Sequence, residues 1–506
     1  MRYVALGCLS LFLVAAEANA AWLEASSDHF VIYGDENEKV VKGLAERLER
    51  FHAAMGHVFV RAQTKPGPSN RVTVFIVSSR AKVREVMGTK DQFLAGIYIP
   101  RAGSSVALVP KPRIASRDIL SGETILYHEY AHHFMRANLT DRAFPRWFTE
   151  GFAEFFAGVR FTKEGTIAFG APPHYRAAEL NYARTVPIRR LLAFDGGISD
   201  SKSRYDSFYG QSWVLFHYLQ MAPERQGALL KYRQLLATGH SALEAAESAF
   251  GDLRQLEKDM DSYMRRRRFD AMVVDGHALA IGPITMRKLR PGEAAMMPVI
   301  IESRVGVTPE EALQLLPEAR RVAALHPDDP TVLAALTEAE FDAGNDDAAI
   351  AAADRAVAID PKNINAHIQK GYALARQVHS GALPKESWKD VRSQFIKANS
   401  IEHDNPIPLV QFYLSYVQQG EPPTKNAING VAWAMELAPF DTSLRWLVAQ
   451  QMVADERYKE AARALAPLAY SPHPGEHTDQ ARELLEDVET RLSQDQTSSS
   501  GALQPE

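Results

Sequence analysis

Cysteine is almost absent from the sequence, because the only one among 506 residues is Cys8, inside the first twenty positions. A fold that depends on disulfide bonds is therefore excluded. An excess of one charge is absent too: 57 basic residues stand against 62 acidic ones, a formal net charge of -5. This balance gives no sign of a nucleic-acid partner or of an anionic membrane surface. The length predicts two or three domains of ordinary globular composition.

The N-terminal segment MRYVALGCLSLFLVAAEANA contains an apolar run. The run is shorter than the about 20 residues that a membrane-spanning helix needs, which disfavours a membrane anchor. Arg2 gives it a basic start, and Ala18-Asn19-Ala20 has the Ala-x-Ala form of a cleavage site. The segment predicts a signal peptide over residues 1–20; a cytosolic N-terminal helix is the alternative. Because the mature chain would lack cysteine, we expect a bacterial protein that is periplasmic or secreted after cleavage near Ala20, with no transmembrane segment.

Residues 21–270 alternate between strand and helix patterns, which predicts an α+β domain with a small mixed sheet. Strands are expected at 26–34 and 71–77, a helix at 37–55, and a pair of strands at 96–110. A helix that begins near Asp118 or Ser121 carries the stretch HEYAHH, and helical patterns continue to the arginine run 265–268. We interpret that run as the solvated end of a helix.

HEYAHH, residues 128–133, concentrates three of the sixteen histidines of the chain. In a helix, His128 and His132 lie on one face with β-carbons about 5 to 6 Å apart, so two imidazoles can share one zinc ion. Glu129 follows the first histidine directly, where it can act as general base on a metal-activated water. His133 points about 100° away from His132 around the helix and is predicted to be peripheral.

A second segment, PRWFTEGFAEFF at 145–156, predicts a helix with Glu150 and Glu154 one turn apart among aromatic residues. Burying these carboxylates is costly unless a cation neutralises them, although a solvated face is the alternative. Together, HEYAH and WFTEGFAE resemble the gluzincin zinc metallopeptidases. The resemblance implies that Glu150 is the third zinc ligand. It also implies that Glu154 supports the site by accepting a hydrogen bond from a ligand imidazole.

Two further stretches fit the gluzincin resemblance less specifically. YDSFYGQSWVLFHYL at 205–219 resembles a segment of gluzincin aminopeptidases, which implies that Tyr209, or Tyr205 in its place, stabilises the oxyanion; a packing tyrosine is the alternative. The strand 104–109 would be the edge strand that aligns a peptide backbone. The G-x-M-E-N box that captures a free N-terminus is missing, which favours an endopeptidase.

After a connector predicted at 271–307, a repeat of 34 residues relates Pro327 to Pro361. Gly344, Ala349 and Ala356 fall where the tetratricopeptide repeat needs a tight turn and two small packing residues, so the segment resembles that family. Residues 308–490 are therefore expected to form a helical solenoid whose concave face binds a protein partner or an extended peptide; a plain helical bundle is the alternative. The polar segment 491–506 is predicted to be disordered.

The sequence supports the hypothesis of an exported zinc endopeptidase with Zn²⁺ held by His128, His132 and Glu150, Glu129 as base, and protein or peptide as substrate. The alternative is an assembly factor in which the repeats act as the scaffold and the metallopeptidase-like domain is catalytically silent. Metal-dependent hydrolysis of a non-peptide bond is a third possibility.

Overall fold

The structure, a computed structural model, describes residues 22–59, 65–92, 94–111, 120–139, 143–162, 165–193, 206–471 and 475–501. The predicted signal peptide and Tyr205 lie outside these ranges. The strands are β1 (Leu23–Ser26), β2 (Phe30–Gly34), β3 (Val72–Val77), β4 (Ile97–Ile99), β5 (Val106–Pro110), β6 (Arg160–Phe161), β7 (Thr166–Phe169), β8 (Met272–Asp275) and β9 (Thr285–Lys288).

Ten helices accompany these strands in the described part of the N-terminal half. They are α1 (Glu38–Phe59), α2 (Arg80–Val86), α3 (Gly122–Asn138), α4 (Arg146–Ala157), α5 (Ala177–Tyr182), α6 (Ile188–Leu192), α7 (Phe208–Met221), α8 (Ala228–Ala237), α9 (Ala242–Phe250) and α10 (Leu253–Met264). Helix α3 begins directly after Ser121, whose side chain accepts a hydrogen bond from the backbone N–H of Thr124. Such an N-cap satisfies a donor that the first helical turn leaves free.

The first sheet has six strands in the order β4-β5-β3-β2-β1-β9. Its central strands β2, β3 and β5 run parallel, and the outer pairs are antiparallel. Successive side chains of a strand point to opposite faces. Val74 and Ile76 accordingly join the core with α1 and α3, whereas Phe75 and Val77 join a separate cluster on the other face. The predicted small mixed sheet is confirmed.

The strand predicted at the sheet edge, 104–109, is not an edge strand. It corresponds to β5, which pairs with β3 on one side and with β4 on the other. The edge is β4, because the chain turns back through Gly103 and Ser104, both with positive φ, and adds the shorter strand on the outside. The hairpin itself was predictable, but the order of its two strands in the sheet depends on long-range pairing.

The segment 271–307, predicted to be a connector, is built from regular elements instead. Strand β8 completes a small second sheet of order β6-β7-β8, and β9 adds to the first sheet beside β1. Helix α11 (Pro291–Val305) then packs on the outer face of the first sheet, where Met297 and Ile301 join the cluster of Phe75 and Leu108. Pro291 begins this helix and Gly306 follows its last residue, whereas Pro298 lies inside it.

From α11 onward the described part of the chain consists of helices that pack on their sequence neighbours, as expected for a helical repeat array. They are α12 (Pro309–Leu325), α13 (Pro330–Asp342), α14 (Asp346–Ile359), α15 (Ile364–Ser380), α16 (Trp388–Ile401), α17 (Pro406–Gln419), α18 (Lys425–Leu437), α19 (Thr442–Ala454), α20 (Tyr458–Ala469) and α21 (Thr478–Gly501). Gly344 takes a φ of 84° in the turn between α13 and α14, and Ala349 and Ala356 are fully buried. The prediction of helical repeats is confirmed at this level. Helix α21 extends to Gly501, into the segment whose composition predicts disorder.

The repeat array wraps back onto the first sheet. Ser69 N–H donates to Glu402 at 2.8 Å, Asn70 Nδ2 donates to the Leu437 carbonyl at 2.7 Å, and Ala102 N–H donates to Asp441 at 2.8 Å. Alternate helices, α11, α13, α15 and α17, face the outer side of the sheet across a cavity of about 680 Å³. The sequence predicts that the concave face of the repeats binds a partner. In the structure this face, formed by the four helices, lies opposite the sheet of the same chain.

No described helix is both long and apolar enough to cross a bilayer.

Candidate metal centre

Two buried helices converge at the centre of the N-terminal half. Every residue of α4 from Trp147 to Ala157 is buried. At Gly151 an added β-carbon would lie 2.5 Å from the Ser212 carbonyl oxygen and 2.8 Å from Cβ of Phe216, so only glycine lets α4 approach α7 this closely. With α7 on that side, the preceding Glu150 reaches toward α3, which carries both motif histidines.

Three side chains meet at one point between α3 and α4. His128 Nε2 and His132 Nε2 lie 3.2 Å apart, and Glu150 Oε2 lies 3.6 Å from each of them. Among the described residues these three form the group of histidine, cysteine and carboxylate side chains placed closely enough to hold a metal ion. The structure thus brings together the three side chains that the sequence proposes as ligands.

The dimensions and chemistry of this triangle fit zinc. Ligand atoms about 2.0 to 2.1 Å from a tetrahedral zinc ion are roughly 3.3 Å from one another, close to the observed separations. Two imidazole nitrogens and one carboxylate oxygen are a typical donor set for catalytic zinc, which keeps its fourth position open. The residues present therefore fit a zinc ion.

Buried carboxylates give the centre a strong preference for positive charge. The side chains of Glu150 and Glu154 have no solvent exposure. Burial disfavours a charged imidazole at His128, but the charges of Glu154 and Glu150 outweigh this and raise its pKa to about 9. Since two carboxylates in a water-poor site favour a cation, a divalent ion can take the place of the proton that His128 otherwise holds.

Glu154 lies beside the centre but has other direct partners than the sequence predicts. Its Oε1 is 3.7 Å from His128 Nδ1, too far for a hydrogen bond. Arg176 donates a hydrogen bond to the same oxygen from Nε at 2.9 Å, and its Nη2 forms an ion pair with that oxygen at 2.7 Å. Tyr175 O–H donates to Oε2. The prediction that Glu154 accepts a hydrogen bond from a ligand imidazole is therefore corrected. Glu154 accepts hydrogen bonds from Tyr175 and Arg176, and it lies near the imidazole of His128 without a hydrogen bond to it.

Tyr209 lies in the same charged neighbourhood. Its hydroxyl accepts a hydrogen bond from Arg146 Nη2 at 3.0 Å, and the guanidinium of Arg176 lies 4.5 Å from the centre of its ring. Burial raises the pKa of Tyr209, and the charge of Glu150 raises it further. The hydroxyl is therefore protonated and available as a donor near the carboxylate side of the centre.

Sequence reasoning missed Arg146, Tyr175 and Arg176. Arg146 is the first residue of α4, and the other two belong to a short turn that precedes α5. Neither arginine is part of a sequence motif with a regular spacing of residues. Both lie at the site only because of the way α4, α5 and α7 pack together. The sequence contains no local signal for these contacts.

Glu129 and His133, which adjoin the two motif histidines on α3, differ in orientation. Glu129 is partly buried and adjoins His128, and its charge acts on the pKa of that imidazole. His133 turns away from the triangle: Nδ1 is 2.6 Å from the Tyr98 hydroxyl, and its ring lies 4.1 Å from that of Phe440 in the repeat array. His133 therefore joins α3 to the edge strand and to the repeats.

Comparison with known proteins finds no matching family model and no matching curated protein. Among solved structures, the chain is similar to a thermophilic TPR protein of Thermus thermophilus, with 18% identity and a TM-score of 0.32 over 39% of this chain and 98% of that one. PilF of Pseudomonas aeruginosa has 14% identity and a TM-score of 0.29, covering 40% and 90% of the two chains. Yeast Tom70 has 15% identity and a TM-score of 0.27, covering 56% and 61%.

Proposed function

We propose that the protein is a zinc-dependent peptidase with its active centre between α3 and α4. The triangle of His128, His132 and Glu150 is the observation that carries this proposal, because its sides of 3.2 to 3.6 Å suit one small cation. The order of the ligands and the adjacent Glu129 also follow the gluzincin pattern. A purely structural zinc site is normally closed by a fourth protein ligand. Such a site has no need of a neighbouring base.

When bound, zinc would act as a Lewis acid and lower the pKa of a coordinated water toward about 7. Glu129 takes the proton of the attacking water and delivers it to the leaving amine. Tyr209, held by Arg146, donates a hydrogen bond to the negative charge that develops on the scissile carbonyl oxygen. Arg176 holds the carboxylate of Glu154 in place, so that its negative charge stays at a fixed distance from the imidazole of His128.

Zinc content and proteolysis test the proposal together. The full-length chain should bind about one zinc ion, measured by elemental analysis after dialysis, and should cleave unfolded casein until a chelator is added. Glu129→Gln should keep the metal and lose about 10³-fold or more of the activity, since it removes only the base. Zinc binding without turnover, or turnover that survives Glu129→Gln within a few-fold, would contradict the assignment.

A protein-binding scaffold is the second candidate, and the helical repeats favour it. Helices that stack in pairs offer extended surfaces for protein partners. Because α11, α13, α15 and α17 face the sheet, a partner segment would enter the cavity between them or bind the outer helices. Pull-down with the inactive Glu129→Gln chain separates the candidates: a scaffold retains its partners equally in wild type, whereas a peptidase retains them only when cleavage is blocked.

Export is part of the proposal, supported by the signal-like segment 1–20. Fractionation of a bacterial host that expresses the full chain tests it. The mature protein should appear in the periplasm or the medium with an N-terminus near Ala21. A full-length cytoplasmic product would contradict export without affecting the metal centre.

A further inference from the structure

A second feature of the metal helix concerns the substrate. Arg136 lies one turn after His132 on α3, so residues 128, 132 and 136 share one helix face. Arg136 and His132 both line a small pocket of about 50 Å³. Since a water molecule needs about 10 to 15 Å³ of such volume, the pocket has room for a group the size of a carboxylate.

Arg136 is a partly buried cation near the carboxylates of Glu129 and Glu150. Within the described ranges, its guanidinium takes part in no ion pair and no hydrogen bond. Burial lowers its pKa, and the nearby charges of Glu129 and Glu150 oppose this effect. Burying an arginine without a partner costs free energy, so such a group normally meets an anion.

The remaining lining of the pocket offers no such anion. Leu139, Phe144 and Thr149 close it on the side of the metal centre, and no aspartate or glutamate is among its described lining residues. The opposite wall comes from the repeat array. There Arg445 is buried and donates from Nε and Nη2 to the Pro439 carbonyl at 3.3 and 3.2 Å. The repeats therefore supply part of a site next to the zinc ligands.

We propose that Arg136 binds a carboxylate of the peptide substrate in this pocket, next to the scissile bond. This inference rests on the proposed peptidase function and names its substrate class: peptides that carry negative charge beside the cleavage site. The carboxylate comes either from an acidic side chain or from a free C-terminus, because both present the same planar anion to a guanidinium. Arg136 thus determines specificity and takes no part in the proton transfers.

Binding measurements on the full-length Glu129→Gln chain, loaded with zinc, test the inference without turnover. Three fluorescent peptides of one sequence serve as probes in anisotropy titrations: one with a free C-terminus, one amidated, and one amidated with a glutamine replaced by glutamate. At least one carboxylate-bearing peptide should bind about tenfold more tightly than the neutral amidated peptide. Preference for the free acid assigns the C-terminus, and preference for the glutamate peptide assigns the side chain.

Arg136→Gln in the same background should remove that preference and leave the affinity for the neutral peptide unchanged. Arg304→Gln is the matched control, because Arg304 lines the larger cavity and its nearest carboxylate oxygen, of Glu338, is 4.0 Å away. It should leave all three affinities unchanged. Equal binding of the three peptides, no binding of any, or loss of the preference in Arg304→Gln instead would overturn the proposal.

Thermal unfolding shows whether the Arg136→Gln variant folds. Its midpoint should equal or exceed that of the parent, because Arg136 makes no ion pair or hydrogen bond with the described residues that the substitution would break. If the variant is unfolded, Arg136→Lys replaces it and should weaken the preference, since lysine loses the planar contact. A chain that binds no zinc and cleaves no casein, yet shows the Arg136-dependent preference, refutes the peptidase function and retains only the carboxylate-binding role of Arg136.

Discussion

Arg176 donates a hydrogen bond from Nε to Oε1 of Glu154 at 2.9 Å, its Nη2 forms an ion pair with the same oxygen at 2.7 Å, and that oxygen lies 3.7 Å from Nδ1 of His128. Glu154 itself has no solvent exposure. The ion pair of Arg176 and Glu154 therefore determines the charge beside the metal centre. Arg176 belongs to the segment Tyr175–Arg176, which is distant from the zinc ligands in the sequence.

Arg176→Leu should destabilise the fold by roughly 3 kcal/mol, because it leaves the buried carboxylate of Glu154 without its cation. It should also weaken zinc binding about 10-fold or more, as expected when the surroundings of a ligand change. Urea unfolding and competition with a zinc indicator measure the two effects. The double variant Arg176→Leu/Glu154→Gln should regain most of the stability; equal stability of the two variants would show that the pair is not coupled.

The neighbouring histidines of α3 offer a matched comparison. His132→Ala should remove bound zinc and abolish casein cleavage, because it deletes one corner of the triangle. His133→Gln should retain about one zinc ion per chain while losing its contacts with Tyr98 and Phe440. Elemental analysis of both proteins decides the matter. Zinc loss in His133→Gln with retention in His132→Ala would place the metal elsewhere.

Removal of zinc should lower the unfolding temperature of the wild-type chain, because an ion that binds only the folded state stabilises it. His128→Ala should show no such dependence on a chelator. A wild-type midpoint that stays constant when the chelator is added would mean that the triangle holds no ion.

Much of the centre could be predicted from local patterns. The i, i+4 spacing of His128 and His132 holds in any α-helix, and the aromatic surroundings of Glu150 indicate burial. The contacts of Arg146 and Arg176 could not be predicted, because they depend on how α5 and α7 pack. Strand β9 was missed for a related reason: residues 285–288 are mostly exposed and carry no apolar alternation, and their pairing with β1 across more than 250 positions decides their structure.

The stability of the protein should fall in mild acid because of His217. This side chain has no solvent exposure; Nδ1 lies 2.8 Å from the Tyr263 hydroxyl and Nε2 lies 3.1 Å from the Asp270 carbonyl. Burial lowers its pKa from 6.5 to about 4. Between these pH values the unfolded chain binds a proton that the folded chain does not, so the free energy of unfolding is highest above pH 6.5 and decreases as the pH falls toward 4.

The loss amounts to roughly 3 kcal/mol over that window. Urea unfolding at pH 7 and pH 4.5 measures it. His217→Gln should be less stable at pH 7 because it loses buried contacts, but its stability should change less between the two pH values. Equal pH dependence in the two proteins would show that His217 does not titrate in this way.

The contact between the sheet and the repeats can be tested at Gly103, which has a φ of 71°. An added β-carbon there would overlap Cγ1 of Ile407 at the start of α17. Gly103→Ala should therefore cost backbone strain of about 1 to 2 kcal/mol plus the clash across the interface.

Gly239→Ala is the control, because Gly239 has a φ of 89° and no atom would lie within 4 Å of the new β-carbon, so only strain remains. Adding Ile407→Ala to Gly103→Ala should relieve the clash, and a double-mutant cycle in urea should give a coupling free energy clearly different from zero. Strictly additive effects would mean that the repeats do not pack against this turn in solution.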